Sequence, residues 1–145
     1  MRALSFIEPW ATLVTLGHKK VETRSWAPPR WLIGQQIAIH ASKSIEAIRD
    51  GTAAELFRIA GVPCPTEWPL GKIVAVARIS SVERTEQARL SLTRPEIAFG
   101  NYLDGRWAWS LHDVIPLRGP LTIRGMLGLW EVPLSFEDEL LRRIG

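Results

Sequence analysis

Apolar and polar residues alternate with period two over several short stretches of this chain and recur at helical spacing over others. Arg2–Ile7 carries β-branched and aromatic residues and predicts a first strand. Glu8-Pro9 then opens a helix, because proline suits the first helical position, and Trp10, Leu13 and Val14 give it an apolar stripe. Gly17 closes that helix in the left-handed conformation. Lys20–Ser25 alternates as a strand, with Lys20, Glu22 and Arg24 on one face and Val21 and Thr23 on the other. Pro28-Pro29 breaks it. Gln36–Ala41 predicts a strand with Ile37 and Ile39 turned inward. Ser42–Ala60 reads as helical, divided near Gly51 by a Thr52/Glu55 capping box. Lys72–Ile79 is nearly all apolar, the pattern of a central strand covered on both faces. Ser80–Ser91 is polar and either extends that strand or forms a loop.

Thr93 and Glu96 form a second capping box, opening a short helix. Arg106–Ile115 alternates, with Trp107, Trp109 and Leu111 on one face. Gly119-Pro120 predicts a turn, Leu127–Val132 a last strand, and Ser135–Arg143 a C-terminal helix with Asp138 at its capping position. Short strands, Gly/Pro turns and a few inserted and flanking helices predict an α+β fold built on a small closed or half-closed β-barrel.

Length and composition narrow the function classes. A chain of 145 residues fits one domain over 1–145. No run approaches the roughly 20 apolar residues of a membrane span, and the N-terminus lacks the apolar core of a signal peptide, so the expected location is cytoplasmic and no membrane partner is expected. A single cysteine, Cys64, excludes a disulfide framework, and His18, His40 and His112 have no ligand spacing, so neither a metal nor another cofactor is expected. No glycine-rich phosphate loop, nucleophile elbow or dinucleotide fingerprint is present. Net charge is +3, with 18 basic and 15 acidic residues, which allows an anionic partner without demanding one. Seven tryptophans against one tyrosine is the unusual count, and indoles serve cores and base-stacking surfaces equally well.

The densest polar cluster is Gly17-His18-Lys19-Lys20-Val21-Glu22-Thr23-Arg24, where a helix end meets a strand. Arg24 can fork onto a phosphate or hold Glu22 in place. Lys19 or Lys20 supplies a point charge. The bland alternative is a solvated strand edge with a surface ion pair. His40 falls on the Gln36/Ala38 face, away from the expected core, just before Ser42 and Lys43, which would strengthen anion binding at a helix N-terminus. Trp26, after the motif strand, is placed to stack a base, and Trp109 is a candidate floor for a base pocket.

Leu4-Ser5-Phe6-Ile7-Glu8-Pro9-Trp10-Ala11 followed by Gly17-x-Lys19-x-x-Glu22-x-Arg24 resembles the ASCH family. His40-Ala41-Ser42-Lys43, Pro69-Leu70-Gly71-Lys72-Ile73, Trp107-Ala108-Trp109 and Gly125-Met126-Leu127-Gly128-Leu129-Trp130 resemble its later blocks, in order, from about Leu4 to Val132. The resemblance implies a PUA-like β-barrel with a cleft beside it, lined by Lys19, Glu22 and Arg24. It also implies a partner among RNA, other single-stranded nucleic acid, nucleotides and nucleosides. Lys19, Lys20, Arg24 and Lys43 would meet phosphate, Glu22 would orient Arg24 or accept a base amino group, and His40, Ser42, Trp26 and Trp109 complete the candidate set. One branch of the family hydrolyses the amide of N4-acetylcytidine with a lysine, a threonine and a downstream glutamate. Here Glu22 stands at the threonine position, so the hydrolase reading, with Lys19 and Glu22 as the acid–base pair, is the alternative to a binding module. A protein-interaction barrel with a solvated rim is the third.

Overall fold

A computed structural model describes residues 1–144. Six strands form one sheet: β1 (Arg2–Phe6), β2 (Val21–Arg24), β3 (Gln36–Ala41), β4 (Lys72–Arg84), β5 (Trp107–Thr122) and β6 (Leu129–Glu131), in the order β2-β5-β4-β3-β1-β6. Only β1 and β3 run parallel; the other pairs are antiparallel. The helices are α1 (Trp10–Thr15), α2 (Glu46–Arg49), α3 (Thr52–Ala60), α4 (Thr85–Ala88), α5 (Arg94–Ala98) and α6 (Leu134–Ile144). A short 3-10 turn covers Arg30–Leu32.

The expected α+β half-barrel is present, and its curl has a local cause. The β4–β5 ladder shifts register three times, between Ile73 and Ala75, Val76 and Arg78, and Ile79 and Ser81. Each irregularity bends the strands and adds twist. The sheet therefore rolls until its two ends approach. Arg24 on the edge strand β2 donates from Nη2 to the Ser5 carbonyl on β1 at 2.7 Å. Trp26 lies beside Gly128, just before β6. This seam, where curl replaces ladder pairing, is where the cleft forms.

Two cores sandwich the sheet. Leu4, Phe6, Ile37, Ile39, Ala75, Ala77, Ile79 and Trp109 fill the inner one, with Ala11 and Val14 of α1. Ala3, Ala38, Ile73, Val76, Leu121, Ile123, Trp130 and Leu140 fill the outer one, under α6. Double coverage explains the apolar run in β4.

Several local expectations change. Residues 42–45 are not helical; helix begins only at Glu46, so Ser42 and Lys43 do not stand at a helix N-terminus. Thr52 does not cap α3: Gly51 holds the N-cap with φ +92°, and Asp50 accepts from the Thr52 amide at 2.9 Å. Asp138 lies inside α6, which starts at Leu134. Gly119-Pro120 does not end the strand but lies in a bulge of β5, where 117–120 have no partner on β4 and Gly119 takes φ +82°, so the proline's missing N–H costs no ladder bond. Among the described residues no helix is long and apolar enough to cross a membrane.

His40 corrects another expectation. Its face is not solvent but the outer core, because both sheet faces are covered. It is 3% exposed, stacked edge-on to Trp130 with its Nε2 3.0 Å from the Ile123 carbonyl. Gly125 packs on the ring so closely that a Cβ there would lie 2.3 Å from Cε1. Burial lowers the His40 pKa below its ordinary 6.5, and the Ile123 bond opposes only part of that. The unfolded chain therefore takes up a proton below pH 6.5 before the folded one does, and stability falls as pH drops through that window. The carboxyls of Glu8 and Glu96, raised by burial, act with the opposite sign above pH 4.5. Thermal melts of the protein and of His40→Gln across pH 5–7.5 separate the two. The wild type should lose stability relative to the variant on acidification, and parallel curves would contradict a buried neutral imidazole.

Candidate functional site

A cleft of about 510 Å3 opens at the seam, within the roughly 300–1,000 Å3 range of small-ligand sites. Its walls come from the end of β1 (Ser5–Ile7), Trp10 of α1, Glu22–Arg24 of β2, Ser42, the 98–101 segment after α5, Arg106, and Leu127–Gly128. The lining is mainly apolar, with a few polar groups converging on it.

The motif segment builds the cleft floor. Gly17, at φ +84°, lets the chain reverse after α1, and the His18 and Lys19 amides both return to the Leu13 carbonyl. That reversal drives Lys19 inward. It is 0% exposed, and its Nζ donates to the Val21 carbonyl at 2.6 Å and the Phe99 carbonyl at 3.0 Å, with Glu22 Oε1 at 3.4 Å. Two of the ammonium's three donors are bonded to carbonyls, and its charge is paired with the Glu22 carboxylate within the protein. Lys19 therefore does not open on the cleft, and Lys20 points to solvent outside it. Glu22, 8% exposed, stands between two cations, since its Oε2 accepts from Arg24 Nε at 2.9 Å. Arg24 also lies 5.4 Å from the Phe6 ring centroid. Two of the guanidinium's five N–H donors are thus committed, and the residue lines the cleft with the rest unpaired.

The opposite wall is fastened to the Lys19–Thr23 segment at three points. Lys19 holds the Phe99 carbonyl, Thr23 Oγ1 accepts from the Asn101 amide at 2.9 Å, and Glu96 Oε1 accepts from the Lys20 amide at 2.8 Å. Gly100 allows the close approach, because a Cβ there would sit 2.7 Å from the Tyr102 ring and 3.1 Å from Thr23 Oγ1. Thr93 caps α5 as expected, but the Glu96 carboxylate turns to Lys20 instead of completing the box. Burial raises the Glu96 pKa against the pull of the Lys20 amide and the Lys19 charge. Burial first, then the Glu96 and Glu22 charges, push the Tyr102 phenol up. Glu8, just before α1, is fully buried and accepts from the Thr12 amide at 2.9 Å and the Thr12 hydroxyl at 2.6 Å.

The structure brings Glu22, Arg24 and Ser42 of the candidate set to the cleft, and Ser42 Oγ is buried there without a partner. Lys43 is exposed elsewhere, its stem against Gly71. Trp109 is fully buried and forms no pocket floor; its indole packs edge-on to Trp26 at 4.9 Å and donates to the Trp26 carbonyl. Trp26 is therefore a half-buried packing residue and does not line the cleft. The indole that does is Trp10, half-buried at the first residue of α1. Its place on the helical stripe disguised it as core. Arg106, whose Nε donates to the Asn101 carbonyl at 3.1 Å, was equally hidden, because only the β2–β5 register brings the start of β5 beside Arg24. Among the described residues no cluster of His, Cys, Asp or Glu could hold a metal ion.

The ASCH domain family model matches residues 4–118. No curated protein matches the sequence. The crystal structure of ASCH from Zymomonas mobilis is similar, with a TM-score of 0.63 over 99% of this chain and 95% of that one at 14% identity. A serine-to-alanine mutant of that protein matches at TM-score 0.60 and 16% identity, covering 97% and 94%. A tyrosine-to-phenylalanine mutant matches at 0.62 and 14%, covering 99% and 98%. Identities this low speak to the fold, while the family model spans most of the sequence. The chain belongs to the ASCH domain family.

Proposed function

We propose that the seam cleft binds one nucleotide of a single-stranded nucleic acid, RNA above all. The observation that carries this reading is the meeting, in one recess, of an available indole (Trp10) with two guanidinium groups that retain free donors (Arg24 and Arg106). A flat aromatic in an apolar recess suits the face of a base, and forked cations suit phosphate. The Glu22 carboxylate supplies an acceptor for the base edge. Only an unpaired or extruded base fits, since duplex RNA hides its edges from side chains.

The sealed Lys19 favours binding over the hydrolase alternative. A fully buried lysine bonded to two carbonyls and paired with Glu22 is placed to hold Glu22, not to exchange protons with a ligand. The test is affinity for the four nucleoside 5′-monophosphates and for short single-stranded RNA. Trp10→Leu, which keeps an apolar residue in the α1 stripe, should weaken binding by about 1–3 kcal/mol. Unchanged affinity in Trp10→Leu would defeat the stacking role. Turnover of N4-acetylcytidine by the wild type would reinstate the hydrolase.

A further inference from the structure

Arg84 and Trp107 form a unit that the cleft does not use. The Arg84 guanidinium carbon lies 3.9 Å from the Trp107 ring centroid, stacked on the indole. Its one hydrogen bond is from Nη1 to the Gly105 carbonyl at 3.2 Å, and among the described residues no carboxylate lies within 4 Å of it. Two acids of the same region have other partners. Glu86 accepts from the Gly105 amide and Asp104 pairs with Arg89. The side chain is exposed, so a planar cation is presented on a rigid aromatic base with one face toward solvent.

The unit is also in register with the cleft. Trp107 on β5 pairs directly with Arg24 on β2 and with Arg84 on β4, so Arg84, Trp107 and Arg24 form one cross-strand row on one sheet face. Two inter-strand spacings, about 10 Å, separate the two arginine backbones. Arg24 at one end of the row and Arg106, preceding Trp107 in the chain, both line the cleft. Bases stack on guanidinium planes as well as on aromatic rings.

We propose that Arg84, backed by Trp107, is a second subsite that stacks the nucleotide flanking the one in the cleft. The inference rests on the nucleotide reading of the cleft and extends it, since the partner becomes a strand of at least two nucleotides. The experiment compares the best-binding nucleoside 5′-monophosphate with the 5′-phosphorylated dinucleotide repeating its base. The dinucleotide should bind at least about fivefold more tightly to the wild type, the effect of one added stack. Arg84→Ala and Arg84→Lys should both lose that gain and leave mononucleotide affinity unchanged, because a lysine keeps the charge without the plane. A dinucleotide gain that survives in Arg84→Ala, or is restored in Arg84→Lys, overturns the second subsite while mononucleotide binding leaves the cleft intact. Failure of every mononucleotide to bind defeats the cleft reading itself.

Discussion

Replacing Lys19 by methionine is expected to destabilise the protein by about 3–5 kcal/mol, the cost of stranding one half of a buried ion pair. Methionine preserves most of the volume, so the loss is electrostatic. The Val21 and Phe99 carbonyls lose their shared donor, and Glu22, nearly buried itself, keeps only Arg24. Unpaired buried acceptors carry their full desolvation cost. Chemical denaturation measures the change directly. The heat-unfolding midpoint should drop by about 10 °C, taking roughly 2–4 °C per kcal/mol for a chain of this size. A loss under about 1 kcal/mol would place Lys19 in solvent instead. Lys20→Met, at an exposed position beyond the cleft, is the control and should stay within about 0.5 kcal/mol.

Arg24→Gln is expected to produce the larger loss in binding. The glutamine amide reaches only as far as the Arg24 Nε, so it can keep a neutral hydrogen bond to Glu22 Oε2 but gives up the Ser5 carbonyl. The variant removes one of the cleft's two guanidinium charges and leaves the Glu22 carboxylate less compensated where phosphate should approach. Loss of one hydrogen bond to a charged group is worth about 1.5–3 kcal/mol, or roughly ten- to more than hundredfold in affinity. The salt dependence supplies a second readout. One phosphate contact fewer should reduce the slope of log affinity against log salt by about 0.7 for a single strand. Reduced affinity with an unchanged slope would assign Arg24 to the base edge or to holding Glu22. Unchanged affinity would remove it from the interface.

How far the sequence could be read depended on whether an element's neighbours are encoded locally. Gln36–Ala41 and the buried β4 run are intrinsic patterns, and both formed as expected. Glu22 and Arg24 were legible as partners because two positions along one strand share a face. The direction of Lys19 was not, since it follows from the reversal at Gly17 and from the Phe99 carbonyl, eighty residues away. His40 was misassigned because alternation distinguishes two faces but does not say that both are covered. Trp10 and Trp109 exchanged roles for a related reason. Trp109 lies deep in the row that the curl encloses, whereas Trp10 heads a six-residue helix at the seam. The seam is a product of bulges in β4 and β5, and these depend on register between strands, not on the residues of either strand alone.

A titration of isotope-labelled protein with short single-stranded RNA, followed residue by residue by NMR, tests the nucleotide cleft most directly. The indole N–H of Trp10 and the amides of Gly100, Asn101 and Gly128 should shift together and saturate, while the ring of His40 and the amide of Leu140 in α6 stay still. Saturating shifts confined to surfaces away from the seam, with Trp10 unmoved, would contradict the account.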